Sequence, residues 1–186
     1  MSAPLDAPLR AFLALELDAA LRGRLQELQS QLRPRLGGIR LARPEGVHLT
    51  LRFLGHTEPV QVERMRRALG QAASACPPVE ARVASLGTFP DRGSPRVLWL
   101  GIEVPKEVLA LQEACERAAR AAGFEPEPRG FRAHLTLGRW REWAPRPELP
   151  AADLGKTRLD TLVLFRSELR RDGAVYSPLE RFALGG

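Results

Sequence analysis

The chain has 186 residues, 44% of them hydrophobic and 27% charged, which suits one well-cored domain or two small lobes sharing an interface and argues against disorder. No apolar run approaches the roughly 20 residues needed to span a bilayer, and Met1 to Arg10 lacks the basic-then-apolar layout of a secretory signal, so a cytoplasmic address is expected. The formal charge of +6 rests almost wholly on arginine, since Lys106 and Lys156 are the only lysines. That balance is compatible with a phosphate-bearing partner, although a GC-rich genome would produce the same bias.

In chain order, Ala11 to Leu15 reads as a buried strand. Leu21, Leu25, Leu28 and Leu32 then mark one face of a helix capped by Asp18, with Gly37 as its stop. His48-Leu49-Thr50-Leu51 reads as a strand that sends His48 and Thr50 to one face and the leucines to the other. Thr57 and Glu58 before Pro59 start a second helix with the stripe Val62, Met65, Leu69 and Ala73. Val79 to Phe89 is a strand, and Pro90 to Pro95 a turn. Val97 to Gly101 is a strand, followed by a helix through Val108, Leu111, Cys115, Ala118 and Ala122, which Gly123 stops. His134-Leu135-Thr136-Leu137 repeats the earlier word. Trp140 to Pro150 reads as irregular, Leu159 to Leu169 as a strand, Asp172-Gly173 as a hairpin turn and Tyr176 to Leu184 as the returning strand. Cys76 and Cys115, each on the apolar face of a predicted helix, are expected to be buried free thiols.

The two four-residue words stand 86 residues apart and take two of the three histidines. At the same offset Ala11 to Leu15 falls opposite Val97 to Gly101, with Arg10 opposite Arg96 and Gly37 opposite Gly123. The strand–helix–loop–strand unit therefore occurs twice. Strands and helices do not alternate regularly elsewhere, so the expected class is α+β. The architecture is bilobal, with two pseudo-symmetric lobes of antiparallel or mixed sheet backed by helices and the repeated strands meeting at a central cleft. Residues 1–186 form a single domain on this reading.

A lone His-x-Thr is ordinary strand content, but two at matched places in a repeat offer two imidazoles that can trade protons near neutral pH and two hydroxyl donors. Such a set suits a phosphodiester, with one imidazole to activate a nucleophile and the other to protonate a leaving oxygen. Arg132, two residues before His134, and Arg52, two beyond Thr50, share the face of the site by strand alternation. Arg139 follows the second word closely. Phe131, Trp140 and Trp143 are stacking candidates, though core or loop anchoring suits each of them better. His56 is assigned to the loop before the second helix. The spacing of the three histidines matches no metal-ligand motif, so no metal is expected.

The segments Pro44 to Gly55, Pro95 to Gly101 and Phe131 to Arg139 resemble the two-histidine (2H) phosphoesterases, in particular the RNA 2′,3′-cyclic phosphodiesterases, also called bacterial and archaeal 2′–5′ RNA ligases. The likeness runs from Arg10 to the Tyr176–Phe182 segment. It departs from the family at Leu41, where members often carry Trp, and at Ala133, where they often carry Pro. The resemblance implies hydrolysis of RNA or nucleotide 2′,3′-cyclic phosphate ends to 2′-phosphates, with ATP-independent 2′–5′ ligation as the reverse. It also implies His134 as general base, His48 as general acid, Thr50 and Thr136 as donors to phosphoryl oxygens, and Arg139 as a substrate-binding group, without metal or nucleotide cofactor; Arg132 joins Arg139 as a substrate-binding candidate by strand alternation. The sequence leaves open a non-catalytic RNA-end or nucleotide binder and a phosphodiesterase acting on 2′–5′ oligonucleotides. A monomer is the expected state.

Overall fold

The computed structural model describes residues 7–170 and 173–185. Among these, nine strands and three helices follow one another as β1 (Leu9–Leu15), α1 (Ala19–Leu32), β2 (Ile39–Leu41), β3 (Leu49–Thr57), α2 (Pro59–Ala75), β4 (Val79–Phe89), β5 (Val97–Glu103), α3 (Lys106–Ala121), β6 (His134–Trp140), β7 (Asp153–Leu159), β8 (Thr161–Arg170) and β9 (Gly173–Ala183). The strands form one sheet in the order β7-β4-β5-β6-β3-β1-β8-β9, with β2 added to β6. Every pairing is antiparallel. The expected α+β class and paired halves are both present. The halves are joined as one continuous sheet through β3 and β6, where Leu49 pairs with Leu135.

The helices start where the sequence says. The Leu21 N–H donates to Asp18 Oδ1 at 2.6 Å, while Asp18 Oδ2 accepts from Thr157 Oγ1 and the Arg158 N–H on β7. Glu58 and Gln61 form a reciprocal capping box at α2. At α3, Gly123 with φ +95° closes a left-handed stop: its N–H donates to Arg120 O and that of Phe124 to Ala119 O. Gly37 does not play the matching part. α1 runs instead into a 3₁₀ turn, Arg33–Arg35, and the left-handed residue is Gly38 (φ +67°).

Leu13, Leu15, Leu98, Leu100 and Leu135 point into the core shared with the stripes of α1, α2 and α3. The opposite face of β1 and β8 carries a second, smaller cluster of Phe12, Ala14, Val163 and Phe165, with Tyr176 packed against it. β1 is thus buried on both faces, which is why its sequence is apolar without alternation. Cys115 lies in the main core, and burial pushes its thiol up to about 12. Cys76 is also buried but serves as the C-terminal cap of α2.

The structure corrects several expectations. β7 has no counterpart among the elements read from the sequence, because Asp153, Gly155, Lys156 and Arg158 dilute its apolar residues; the strand expected to start at Leu159 starts at Thr161. β2 is too short to show a strand pattern, and Trp140 closes β6 rather than opening an irregular segment. β9 begins at Gly173, opposite Arg170; Asp172 of the expected turn lies outside the described residues. His56 belongs to the C-terminal end of β3, not to a loop. Among the described residues no helix is long and apolar enough to cross a membrane.

Candidate active site

Each repeated strand contains an extra residue directly after its threonine. On β1, Ala14 pairs with Thr50 and Leu13 with Arg52, leaving Leu51 as a bulge. On β5, Trp99 pairs with Thr136 and Leu98 with Gly138, leaving Leu137 as a bulge. A bulge puts two residues against one and inverts the alternation beyond it. The side chain sharing the threonine's face is therefore three residues on: Phe53 in the first half and Arg139 in the second. Both line the cleft.

Arg52 consequently turns away from the site, contrary to simple alternation. It is only 7% exposed, ion-paired with Glu116 of α3 at 2.5 Å and Glu127 at 3.1 Å, and it donates to the carbonyls of Phe53 and Glu125. It ties β3 to α3 and has no access to a substrate. The same registers correct the repeat itself. Ala14 and Trp99 occupy matching places against the threonines, so β1 and β5 correspond at an offset of 85 residues rather than 86. Arg10 and Arg96 are therefore not counterparts. Trp99 fits because Gly87 faces it across β4, where a Cβ would fall 2.1 Å from the indole.

With Leu49 opposite Leu135, one step of the register in either direction sets His48 across from Thr136 and Thr50 across from His134. Directly opposed Cβ atoms in an antiparallel pair lie about 4.5–5.5 Å apart. His48, Thr50 and Thr136 line a cleft of about 570 Å³ with Arg139, Phe53 and Tyr176. Its far wall includes the start of β9, Gly173 to Val175. His134 stands beside it, close enough for its charge to be felt at His48.

Each ring is tethered to the carbonyl two residues before it: His134 Nδ1 to Arg132 O at 2.7 Å, and His48 to Gly46 O. For His134 this bond fixes Nδ1–H and leaves Nε2 as the atom that can exchange a proton. The surroundings differ. His48 stacks on Phe12 at 4.6 Å and lies 5.7 Å from Phe165, with Tyr176 edge-on at 5.2 Å. Burial pulls its pKa down to about 4, with the His134 charge adding to the fall. His134 meets a single ring edge-on, Phe89 at 5.1 Å. Its pKa is lowered by burial and then by the positive charges of Arg139 and Arg132. Burial raises the Tyr176 phenol, a shift that Arg139 opposes.

Arg139 lines the cleft and is near enough to act electrostatically on both His134 and Tyr176. Arg132 lies next to His134 but outside the cleft lining, over the Phe89 ring at 4.6 Å and paired with Asp91 at 3.4 Å. Trp140 is buried, with its Nε1–H on Gly37 O at 3.0 Å, and Phe131 packs against the core, so neither offers a free face. Trp143 is 76% exposed. His56 is exposed and paired with Glu58 at 3.1 Å. Among the described residues no three His, Cys, Asp or Glu side chains come together as a metal-ligand set.

Sequence reasoning missed Phe12, Phe165, Tyr176 and Phe53. Only Phe53 had a readable signal, since it stands 86 residues before Arg139.

A family model described as LigT like Phosphoesterase matches residues 15–99 and 101–176. A protein named RNA 2′,3′-cyclic phosphodiesterase from Methanothermobacter thermautotrophicus is 32% identical over 182 residues, covering 94% of this chain and 98% of that one. A protein of the same name from Thermus thermophilus is 32% identical, with coverage of 96% and 91%. Among solved structures, one from Thermus thermophilus superposes with a TM-score of 0.85 at 31% identity, over 96% of this chain and 99% of that one. E. coli LigT in apo form superposes at 0.81 with 24% identity, over 95% and 98%, a likeness of fold.

Proposed function

The chain belongs to the LigT-like phosphoesterase family, and from that membership and its two facing His-x-Thr strands we propose that it hydrolyses RNA or nucleotide 2′,3′-cyclic phosphate ends to 2′-phosphates. The observation that supports this is the Leu49–Leu135 pairing, which joins the two His-x-Thr strands at a cleft lined by His48, Thr50 and Thr136, with His134 beside it. Curated relatives at 32% identity bear the name of that activity.

On this reading His134 Nε2 takes a proton from water as the water oxygen bonds to phosphorus. The P–O3′ bond breaks on the opposite side, and His48 delivers a proton to the departing O3′. Breaking that bond, rather than P–O2′, leaves the phosphate on the 2′ oxygen. His134 is the more solvent-open of the two, beside the cleft through which water arrives, and its lowered pKa keeps it neutral and able to accept. His48 must gain its proton with the substrate. An anionic phosphodiester beside it opposes the effect of burial, which holds the pKa down in the free protein, and so favours the protonated ring. Thr50, Thr136 and Arg139 donate to the nonbridging oxygens as charge builds on them. Arg132 screens the rim by His134 while held by Asp91.

Run in reverse, with an RNA 5′-hydroxyl in place of water, the same groups join a 2′–5′ bond without ATP. The proposal takes the protein as a cytoplasmic monomer that uses no metal. Incubation with a 2′,3′-cyclic mononucleotide in EDTA tests it: the product should be the 2′-phosphate. A 3′-phosphate would reject the assigned bond cleavage. Tight binding of phosphate-ended RNA with background turnover would make the chain a binder, and turnover of 2′–5′ oligonucleotides alone would move the activity to that substrate.

A further inference from the structure

Beside the cleft lies a second groove of about 860 Å³, walled by the Arg33–Gly38 segment and the Arg141–Pro147 segment. Arg40 and Leu41 of β2 line both the groove and the cleft, and Arg40 pairs across the sheet with Arg139. β2 is three residues long, roughly 10 Å of strand, so the groove and the cleft are neighbours across it.

Its walls are built rather than loose. The Trp140 indole bonded to Gly37 O joins one wall to the other. Ser94 Oγ donates to Ala144 O at 3.1 Å and accepts from the Ala144 N–H at 3.0 Å. Arg146 donates to Thr88 Oγ1, Pro90 O and Gly93 O. The segment so pinned nevertheless presents the Trp143 indole to solvent. Arg33, Arg35 and Arg141 are exposed and form no ion pair among the described residues. Glu142 is the one acidic side chain in the lining. A fixed groove that neighbours the cleft across β2, with an exposed aromatic face and three guanidinium groups outside any ion pair among the described residues, has the two components that recognise unpaired nucleic acid, stacking and phosphate charge.

We propose that this groove holds the single-stranded RNA on the 5′ side of the cyclic phosphate, with Trp143 stacked on a base and Arg33, Arg35 and Arg141 on backbone phosphates. The inference rests on the reading that the cleft holds that terminal phosphate, and it makes an RNA strand, rather than a mononucleotide, the preferred substrate. A base-paired end would not offer an unstacked face to the indole.

The test compares the full-length protein with Trp143→Ala and with Arg33→Gln/Arg35→Gln, on a 2′,3′-cyclic mononucleotide and on a short unpaired oligoribonucleotide ending in the same group. Loss of one stacked base should lower kcat/KM on the oligonucleotide by roughly 5- to 150-fold and leave the mononucleotide rate unchanged. The double arginine variant should flatten the salt dependence on the oligonucleotide only, by about 0.7 in log–log slope for each phosphate no longer neutralised. Equal losses on both substrates, or no loss on either, would overturn the groove while leaving the cyclic phosphodiesterase reading intact. Should the wild-type protein turn over neither substrate, that reading fails, and the groove is then judged by fluorescence anisotropy of a 5′-labelled RNA bearing a 2′-phosphate. Weaker binding by Trp143→Ala supports the groove, and unchanged binding rejects it.

Discussion

The two halves of the sheet carry the same four-residue word, the same bulge after its threonine and the same carbonyl tether two residues before its histidine, yet they give the two imidazoles different settings. His48 is packed among Phe12, Phe165 and Tyr176, with Phe53 at the position three beyond its threonine. His134 has one ring beside it and the charges of Arg132 and Arg139 nearby. Burial dominates the first setting and is joined by cationic charge in the second. A duplicated backbone thus supplies the symmetric frame, and the residues around it decide how each proton is held.

The largest expected effects test the frame. His48→Ala and His134→Ala should each lower kcat on 2′,3′-cyclic phosphate by about 10²–10⁴-fold, as for other acid–base partners. Near-full activity in either variant would break the two-imidazole account. The next test lies at matched positions just beyond the bulges, Arg52 and Gly138. Arg52→Ala leaves Glu116 and Glu127 without their cation and should cost about 3–5 kcal/mol of unfolding free energy in urea titration. Gly138→Ala brings a Cβ to 2.8 Å from Arg40 O and 3.0 Å from Ile39, so it should push β2 off β6. Its signature would be a loss of activity on every substrate, since β2 walls the cleft. An Arg52→Ala protein as stable as wild type would mean that the bulge does not turn this side chain into a strut.

Much of this was legible in the sequence, for reasons that also explain what was not. The 86-residue repeat was visible because the core leucines and the cleft-facing His and Thr recur together. Capping chemistry at Asp18 and Glu58 is local, so it could be read from neighbours alone. The bulges could not, because Leu51 and Leu137 look like ordinary strand residues and the extra residue is set by pairing to β1 and β5. That single unseen insertion turned Arg52 from a site residue into a buried strut. It also hid Phe53, which stands in the cleft at 56% exposure. The aromatic nest of His48 draws on β1, β8 and β9, segments up to 164 residues apart, and no local pattern announces such a meeting.

A smaller effect separates charge from packing. Arg139→Gln removes one cation from the cleft, and loss of a charge-assisted hydrogen bond of about 1.5–3 kcal/mol predicts a roughly 10- to 150-fold lower kcat/KM. It should also let the His134 pKa rise, since Arg139 is one of the charges holding it down. A ¹H–¹⁵N titration of the two imidazoles would show this as an upward move of one resonance set only. If both moved equally, Arg139 would belong to the two halves alike. The pH dependence of kcat/KM follows from the same values. With both free-protein pKa values below the ordinary 6.5, the bell should be centred on the acid side of pH 6.5.

The smallest effect concerns stability and isolates His48 from catalysis. Its folded-state pKa of about 4 lies below the ordinary 6.5, so between those values the unfolded chain binds a proton that the folded one refuses. Stability is therefore full above about pH 6.5 and is lost as the pH falls through the window toward 4. Discounted for the partial exposure of the ring, the loss at pH 5 is about 1–2 kcal/mol. The variant His48→Asn carries no titrating group there, so the difference in urea midpoint between pH 7.5 and pH 5 should shrink by that amount relative to wild type. The corresponding His134→Asn change should be smaller, because that ring is less enclosed, with one aromatic neighbour where His48 has three. Equal shrinkage in the two variants would mean that the aromatic nest does not distinguish the halves.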